Sequence, residues 1–120
     1  MTLRADVEAL VTKMDGDVDA VVVEGRHDRE ALEAAGFTGR IYTCSENTDG
    51  VVSLARTILE ENTAVSILTD FDEEGRSLCG KLRDTIPERM LRPIWRKKLG
   101  TLLTQNGHRD VESINNIVDR

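Results

Sequence analysis

Leu3, Val7, Leu10, Val11 and Met14 recur at the spacing of a single helix face, so residues 2–14 are predicted to form an amphipathic helix that ends near Gly16. The pattern then changes period. Ala20 to Val23 is short, β-branched and uninterrupted, as expected of a central parallel strand buried on both faces. Residues 28–35 predict a second helix, closed by Gly36, and residues 39–44, GRIYTC, a second strand. Val51, Leu54, Ala55, Ile58 and Leu59 mark the inner face of a third helix, and residues 63–70, TAVSILTD, a third strand. Residues 76–86 should be helical with Leu78, Cys79, Leu82 and Ile86 inward, stopped by Pro87, because proline inside a helix costs about 3 kcal/mol. Residues 90–95, MLRPIW, read as a fourth, short edge strand, since a sheet tolerates proline only at its edges or at a strand start. Trp95, Leu99, Leu102 and Leu103 predict a helix terminated by Gly107, and Val111, Ile114, Ile117 and Val118 a last one.

Strands that alternate with helical segments of this length require crossover connections, hence an α/β fold with a mainly parallel sheet of about four strands flanked by helices. A chain of 120 residues needs no second domain to bury a core, so residues 1–120 are expected to form one domain. In sheets of this kind ligands sit beyond the carboxyl ends of the strands, where the order of winding reverses.

Composition narrows the function classes. No apolar run approaches the ~20 residues needed to cross a bilayer, and the acid-containing N-terminus resembles neither a signal nor a transit peptide, so a cytoplasmic protein without a membrane partner is expected. Cys44 and Cys79 lie far apart, outside any zinc-ligand spacing, and read as buried thiols; His27 and His108 are equally isolated. The net charge of −6 is unevenly distributed: residues 1–75 carry −11 and residues 76–109 carry +7. A basic segment directly after an acidic cluster suggests a phosphate-neutralising surface beside a metal-holding one, against the blander reading of a basic helix face and a solubilising acidic surface.

The acidic cluster is ILTDFDEEGR, residues 67–76. Asp70, Asp72, Glu73 and Glu74 place four carboxylates within five residues, which repel one another unless a cation sits among them. Glu24 directly follows the first strand. If the first and third strands are neighbours, their ends lie about 4.8 Å apart, and Glu24, Asp70 and Asp72 converge. In an extended segment Asp70 and Asp72 share one side while Phe71 turns into apolar packing. Mg²⁺, held through one or two carboxylates with its waters and substrate phosphates, suits such a site, and Mn²⁺ could replace it. Gly25 and Gly75 would shape the loops; Asp28 either caps the following helix or reaches the site; Glu73 and Glu74 read as loop acids, with Glu74 a possible support. Without metal, the crowded Glu24 should have a raised pKa. No P-loop, GxGxxG or GxSxG motif is present, and the first strand ends in a single glutamate, unlike the paired acids of receiver domains or the DxD of phosphoaspartate hydrolases.

VVVEGRHD, residues 21–28, followed some forty residues later by ILTDFDEEGR, resembles the Toprim domain of type IA and type II topoisomerases, bacterial-type primases, OLD-family nucleases, recombination mediators and the 5S ribosomal RNA maturation nucleases. The resemblance covers residues 18–95, with the helix at 2–14 and those at 95–118 outside the core, and lies nearest the maturation nucleases and the small stand-alone Toprim proteins of archaea. It implies a three-layer Rossmann-like fold in which Glu24 is general acid or base and Asp70 and Asp72, with Glu24 beside them, hold Mg²⁺. RDVE, residues 109–112, resembles a downstream acidic element of the maturation nucleases and adds Glu112 as possible support. Those nucleases carry a further RNA-binding domain with no expected counterpart here.

Two function classes follow. One is a Mg²⁺-dependent nuclease or nucleotidyl-transfer enzyme acting on nucleic acid, RNA before DNA; the other is a nucleic-acid-binding or assembly module that needs a partner chain. A metal site serving a nucleotide or other phosphorylated small molecule is a third possibility. Aromatic content of 3% argues against base stacking as the main grip. Phosphate contacts by Arg76, Lys81, Arg83, Arg92, Arg96, Lys97 and Lys98 are the better candidates, and would make binding salt-sensitive. So small a domain also makes a homodimer or a protein partner plausible.

Overall fold

The computed structural model describes residues 2–118, in the order α1 (Leu3–Asp15), β1 (Ala20–Val23), α2 (Arg26–Ala34), β2 (Arg40–Thr43), α3 (Val51–Glu61), β3 (Val65–Ile67), α4 (Glu73–Thr85), a 3₁₀ turn (Glu88–Met90), α5 (Ile94–Gln105) and α6 (Ile114–Val118). The three strands form one parallel sheet in the order β2-β1-β3, with Val22 opposite Tyr42 on one side and Ile67 on the other. The α/β class is as expected.

Every residue of β1 is buried, and its side chains alternate between two cores. Val21 and Val23 pack with Leu32, Phe37, Leu99, Leu103 and Ile114, under α1, α2, α5 and α6. Ala20 and Val22 pack with Leu54, Ile58, Leu82 and Ile86, under α3 and α4. Helices therefore cover both faces of the sheet. Aspartates tie the amino ends of the strands: Asp19 accepts from the Thr63 and Ala64 amides and the Thr63 hydroxyl, joining β1 to the start of β3.

The fourth strand shrinks to a single bridge. Leu91 pairs with Val65, and the Arg92 amide donates to the Val65 carbonyl at 2.9 Å. Pro93 has no N–H to extend the ladder and instead begins α5. β3 is also shorter than its apolar run. The Leu68 amide still reaches the Val22 carbonyl, but the Asp70 amide donates to Glu24 and Arg96 takes the Thr69 and Asp70 carbonyls, so the chain leaves the sheet there.

Other boundaries move for identifiable reasons. α2 starts at Arg26, two residues early, with the Asp28 carboxylate accepting from the Gly25 amide behind it. α4 starts at Glu73, not at residue 76, because Asp72 is its N-cap, accepting from the Gly75 amide at 2.8 Å. Glu73 and Glu74 are thus first-turn acids, favourable at the positive end of the helix dipole, and not loop residues. The last helix begins only at Ile114, since the Val111 amide is directed to Asp70. Among the described residues no helix is long and apolar enough to cross a membrane.

Candidate functional site

The chain leaves β1 through α2 to one side and returns through α3 to β3 on the other, so the winding reverses between β1 and β3. Glu24 and Asp70 lie at the carboxyl ends of these neighbours. The Asp70 amide donates to Glu24 Oε2 at 2.6 Å, and the Asp70 carboxylate accepts from the Val111 amide at 2.9 Å. Asp28, on the first turn of α2, is only 7% exposed, with one oxygen on the Gly25 amide at 2.9 Å. Beside them opens a cavity of about 500 Å³ lined by Glu24, Asp28, Asp70, Glu74, Glu112 and the Cys44 thiol among others.

The electrostatics of these carboxylates are frustrated. Burial, reinforced by the charges of Asp70 and Asp72, pushes Glu24 up to about 7, despite the hydrogen bond from the Asp70 amide. Burial also raises Asp28 to about 6, with Asp70, Glu112 and Asp110 adding repulsion. Asp70 is raised by burial, then by Asp110 and Asp72, against the Val111 amide that favours its charged form. Cys44, desolvated and facing Glu24, is pushed up to about 11. The upward direction matches the expectation for Glu24, but desolvation is its larger cause and charge repulsion the smaller.

Not every predicted site residue arrives as expected. Asp72 caps α4 through Oδ1 and is not among the residues that line the cavity, although its charge bears on Glu24 and Asp70; Phe71 between them packs, partly buried, against the apolar core. Asp28 accepts from the Gly25 amide and also lines the cavity. Glu74 and Glu112 line the cavity, whereas Glu73 is exposed outside it. Gly75 is buried where a Cβ would overlap the Asp70 backbone, so it acts by close approach from within a helix rather than as a loop residue. Gly25 is extended, at φ −146°, and its added Cβ would meet only ordinary contacts, so the backbone does not demand glycine there. Asp110, whose charge bears on Asp28 and Asp70, was not singled out from the sequence; an acid ending a strongly basic segment was the available signal.

The basic residues divide. Arg96 donates to the Thr69 carbonyl at 3.0 Å and to the Asp70 carbonyl, and lies 5.3 Å over the Phe71 ring, so it holds the segment that carries Asp70. Arg76 donates to the Phe71 carbonyl at 3.2 Å, and Lys98 lies over Trp95. Arg83, Arg92 and Lys97 join Arg96 around a second cavity. Lys81 is exposed on α4 and lines neither cavity.

Carboxylate oxygens are the donors that the residues of the acidic cavity could offer to a hard cation. Glu24, Asp28 and Asp70 each engage a backbone amide through one oxygen, and among the described residues none of them has an ion-pair partner. No three acids, histidines or cysteines among the described residues are grouped closely enough to hold an ion together.

No protein-family model matches the chain. It is similar to a UPF0292 protein of Pyrococcus furiosus, with 30% identity over 79 residues, which is 66% of this chain and 58% of that relative's length. A UPF0292 protein of Methanocaldococcus jannaschii is 27% identical over 111 residues, covering 90% of this chain and 84% of the relative. The solved structure of a protein from Aquifex aeolicus has a TM-score of 0.69 over 91% of this chain and 95% of its own at 15% identity, a likeness of fold.

Proposed function

We propose that this protein is a Mg²⁺-dependent, Toprim-type enzyme of the cytoplasm that hydrolyses or transfers phosphodiester bonds in nucleic acid, RNA before DNA. The observation that carries the reading is geometric: Glu24 and Asp70, ending neighbouring parallel strands, are joined through the Asp70 amide beside a cavity that Asp28, Glu74 and Glu112 also line. Asp70, with Glu24 or Asp28, would hold the metal, which when bound polarises a phosphoryl oxygen and stabilises charge on it. The Asp70 amide fixes Glu24 Oε2, leaving Oε1 to take up or release the proton of the attacking or leaving oxygen. Arg96 fixes the Asp70 carbonyl from behind, so the two carboxylates keep their spacing as substrate enters.

The test is cleavage of end-labelled structured RNAs, single-stranded DNA and duplex DNA in Mg²⁺ or Mn²⁺. Glu24→Gln and Asp70→Asn should each lower the rate by about 10²-fold or more. Cleavage that survives Glu24→Gln overturns the assignment of its role. A second reading, a binding module completed by a partner chain, is favoured by the absence of a three-ligand group among the described residues. It would be upheld by salt-sensitive binding in all three proteins with cleavage in none.

A further inference from the structure

Arg96, which holds the Thr69 and Asp70 carbonyls, also lines a second cavity of about 220 Å³, formed by α4, the Leu91–Pro93 segment and the start of α5. Its apolar wall comes from Ile67, Leu91 and Cys79, and four cations surround it: Arg83, Arg92, Arg96 and Lys97. Among the described residues none of the four has a carboxylate within ion-pair distance. Four uncompensated like charges around one small space repel one another, and an anion placed among them relieves that repulsion.

We propose that this cavity is a binding site for a phosphate monoester. Two guanidiniums are already held in place: Arg96 by the Thr69 and Asp70 carbonyls, Arg92 by the Arg89 and Leu91 carbonyls. Each keeps further N–H groups for a ligand, and the guanidinium fork matches phosphate oxygens. Arg83, in the last turn of α4, and Lys97, in the first turn of α5, supply charge that no hydrogen bond within the described residues engages. A space of this size admits a phosphate with part of a nucleoside but not a stretch of polymer, and four cations favour a monoester dianion over a diester monoanion. The monoester is borne by a free nucleotide or by the phosphorylated end of a nucleic acid strand. The strand-end source rests on the function proposed above, because Arg96 joins this cavity to Asp70; phosphate binding itself does not.

Each cavity contains one thiol, Cys79 here and Cys44 in the acidic one. Alkylation by iodoacetamide, read peptide by peptide in metal-free buffer, therefore reports on both sites in one sample. AMP at about ten times its dissociation constant should slow Cys79 alkylation roughly tenfold by mass action and leave Cys44 unchanged, while adenosine slows neither thiol. Arg83→Glu and Lys97→Glu, both surface changes, should abolish the protection while each variant still melts cooperatively. Protection by AMP alone identifies the free nucleotide as source; protection also by a 5′-phosphorylated oligoribonucleotide, but not by its 5′-hydroxyl form, identifies the strand end, and either result upholds the site. No protection by AMP or phosphorylated oligonucleotide, equal protection by adenosine or by the 5′-hydroxyl oligonucleotide, or protection that survives both charge reversals would overturn it. Because no metal is present, this outcome is independent of cleavage, and failure of either proposal leaves the other standing.

Discussion

A Cβ on Gly75 would overlap the carbonyl, carbon and amide of Asp70, because the first turn of α4 lies directly on the segment that carries the site carboxylate. The Thr69 hydroxyl closes the same contact by donating to the Gly75 carbonyl at 2.6 Å. Substitution here is an overpacking problem against backbone, which has no rotamer through which to escape. Gly75→Ala is expected to lose at least about 1–3 kcal/mol of stability in chemical denaturation, and to displace Asp70. Gly25 offers the control. It too lines the acidic cavity, but its backbone is extended and the nearest atom to an added Cβ is Ser45 Oγ at 3.5 Å. Gly25→Ala should cost under about 1 kcal/mol, the difference between glycine and alanine at a helix N-cap. Equal losses in the two variants would show that close approach to Asp70 is not what Gly75 provides.

Asp72 belongs to an element, α4, before it belongs to a site. Its carboxylate supplies the N-cap, and the two acids after it sit in the first turn. Asp72→Asn keeps an oxygen for the Gly75 amide and should leave both stability and cleavage near wild type, whereas Asp72→Ala should cost about 1 kcal/mol. A large loss of metal-dependent activity in the asparagine variant, with the melt unchanged, would restore Asp72 to the ligand set. The same element shows what local pattern can and cannot carry. Ala20–Val23 is legible because all four side chains are buried and the run is uninterrupted, and the adjacency of Glu24 and Asp70 follows from β1 and β3 being neighbours, with Val22 in register with Ile67. The end of β3 was not legible, because it is decided by Arg96, 26 residues on, which takes the Asp70 carbonyl, and by the Val111 amide, 41 residues on, which takes its carboxylate. Asp28 was ambiguous for a similar reason: its first-turn position suggests a cap, and only the packed fold exposes it to Asp70, Asp110 and Glu112.

Across the whole molecule, two sets of carboxylates oppose each other in pH dependence. Asp15 and Asp19 accept hydrogen bonds from Thr38, Gly39, Thr63 and Ala64, and are lowered from the ordinary 3.8; the stability they contribute is present above that value and is lost as pH falls through their folded pKa. Glu24 and Asp28 have the opposite sign. Glu24 rises from 4.5 to about 7 and Asp28 from 3.8 to about 6, so between those values the folded protein keeps protons that the unfolded chain has released. Stability of the metal-free protein should therefore fall as pH rises from about 4 to 7 and level off above, and Glu24→Gln should flatten that slope. Mg²⁺ would reverse it, since a cation favours the ionised carboxylates and binds the native state: at 100 times its dissociation constant it adds about 2.7 kcal/mol. Thermal melts across this range, with and without Mg²⁺, should differ little at pH 4 and most near pH 7. A wild-type melt that falls between pH 4 and 7 without metal no more steeply than that of Glu24→Gln would show that Glu24 ionises freely. A Mg²⁺ shift absent at pH 7 would show that the acidic cavity, for all its repulsion, does not bind the proposed cation.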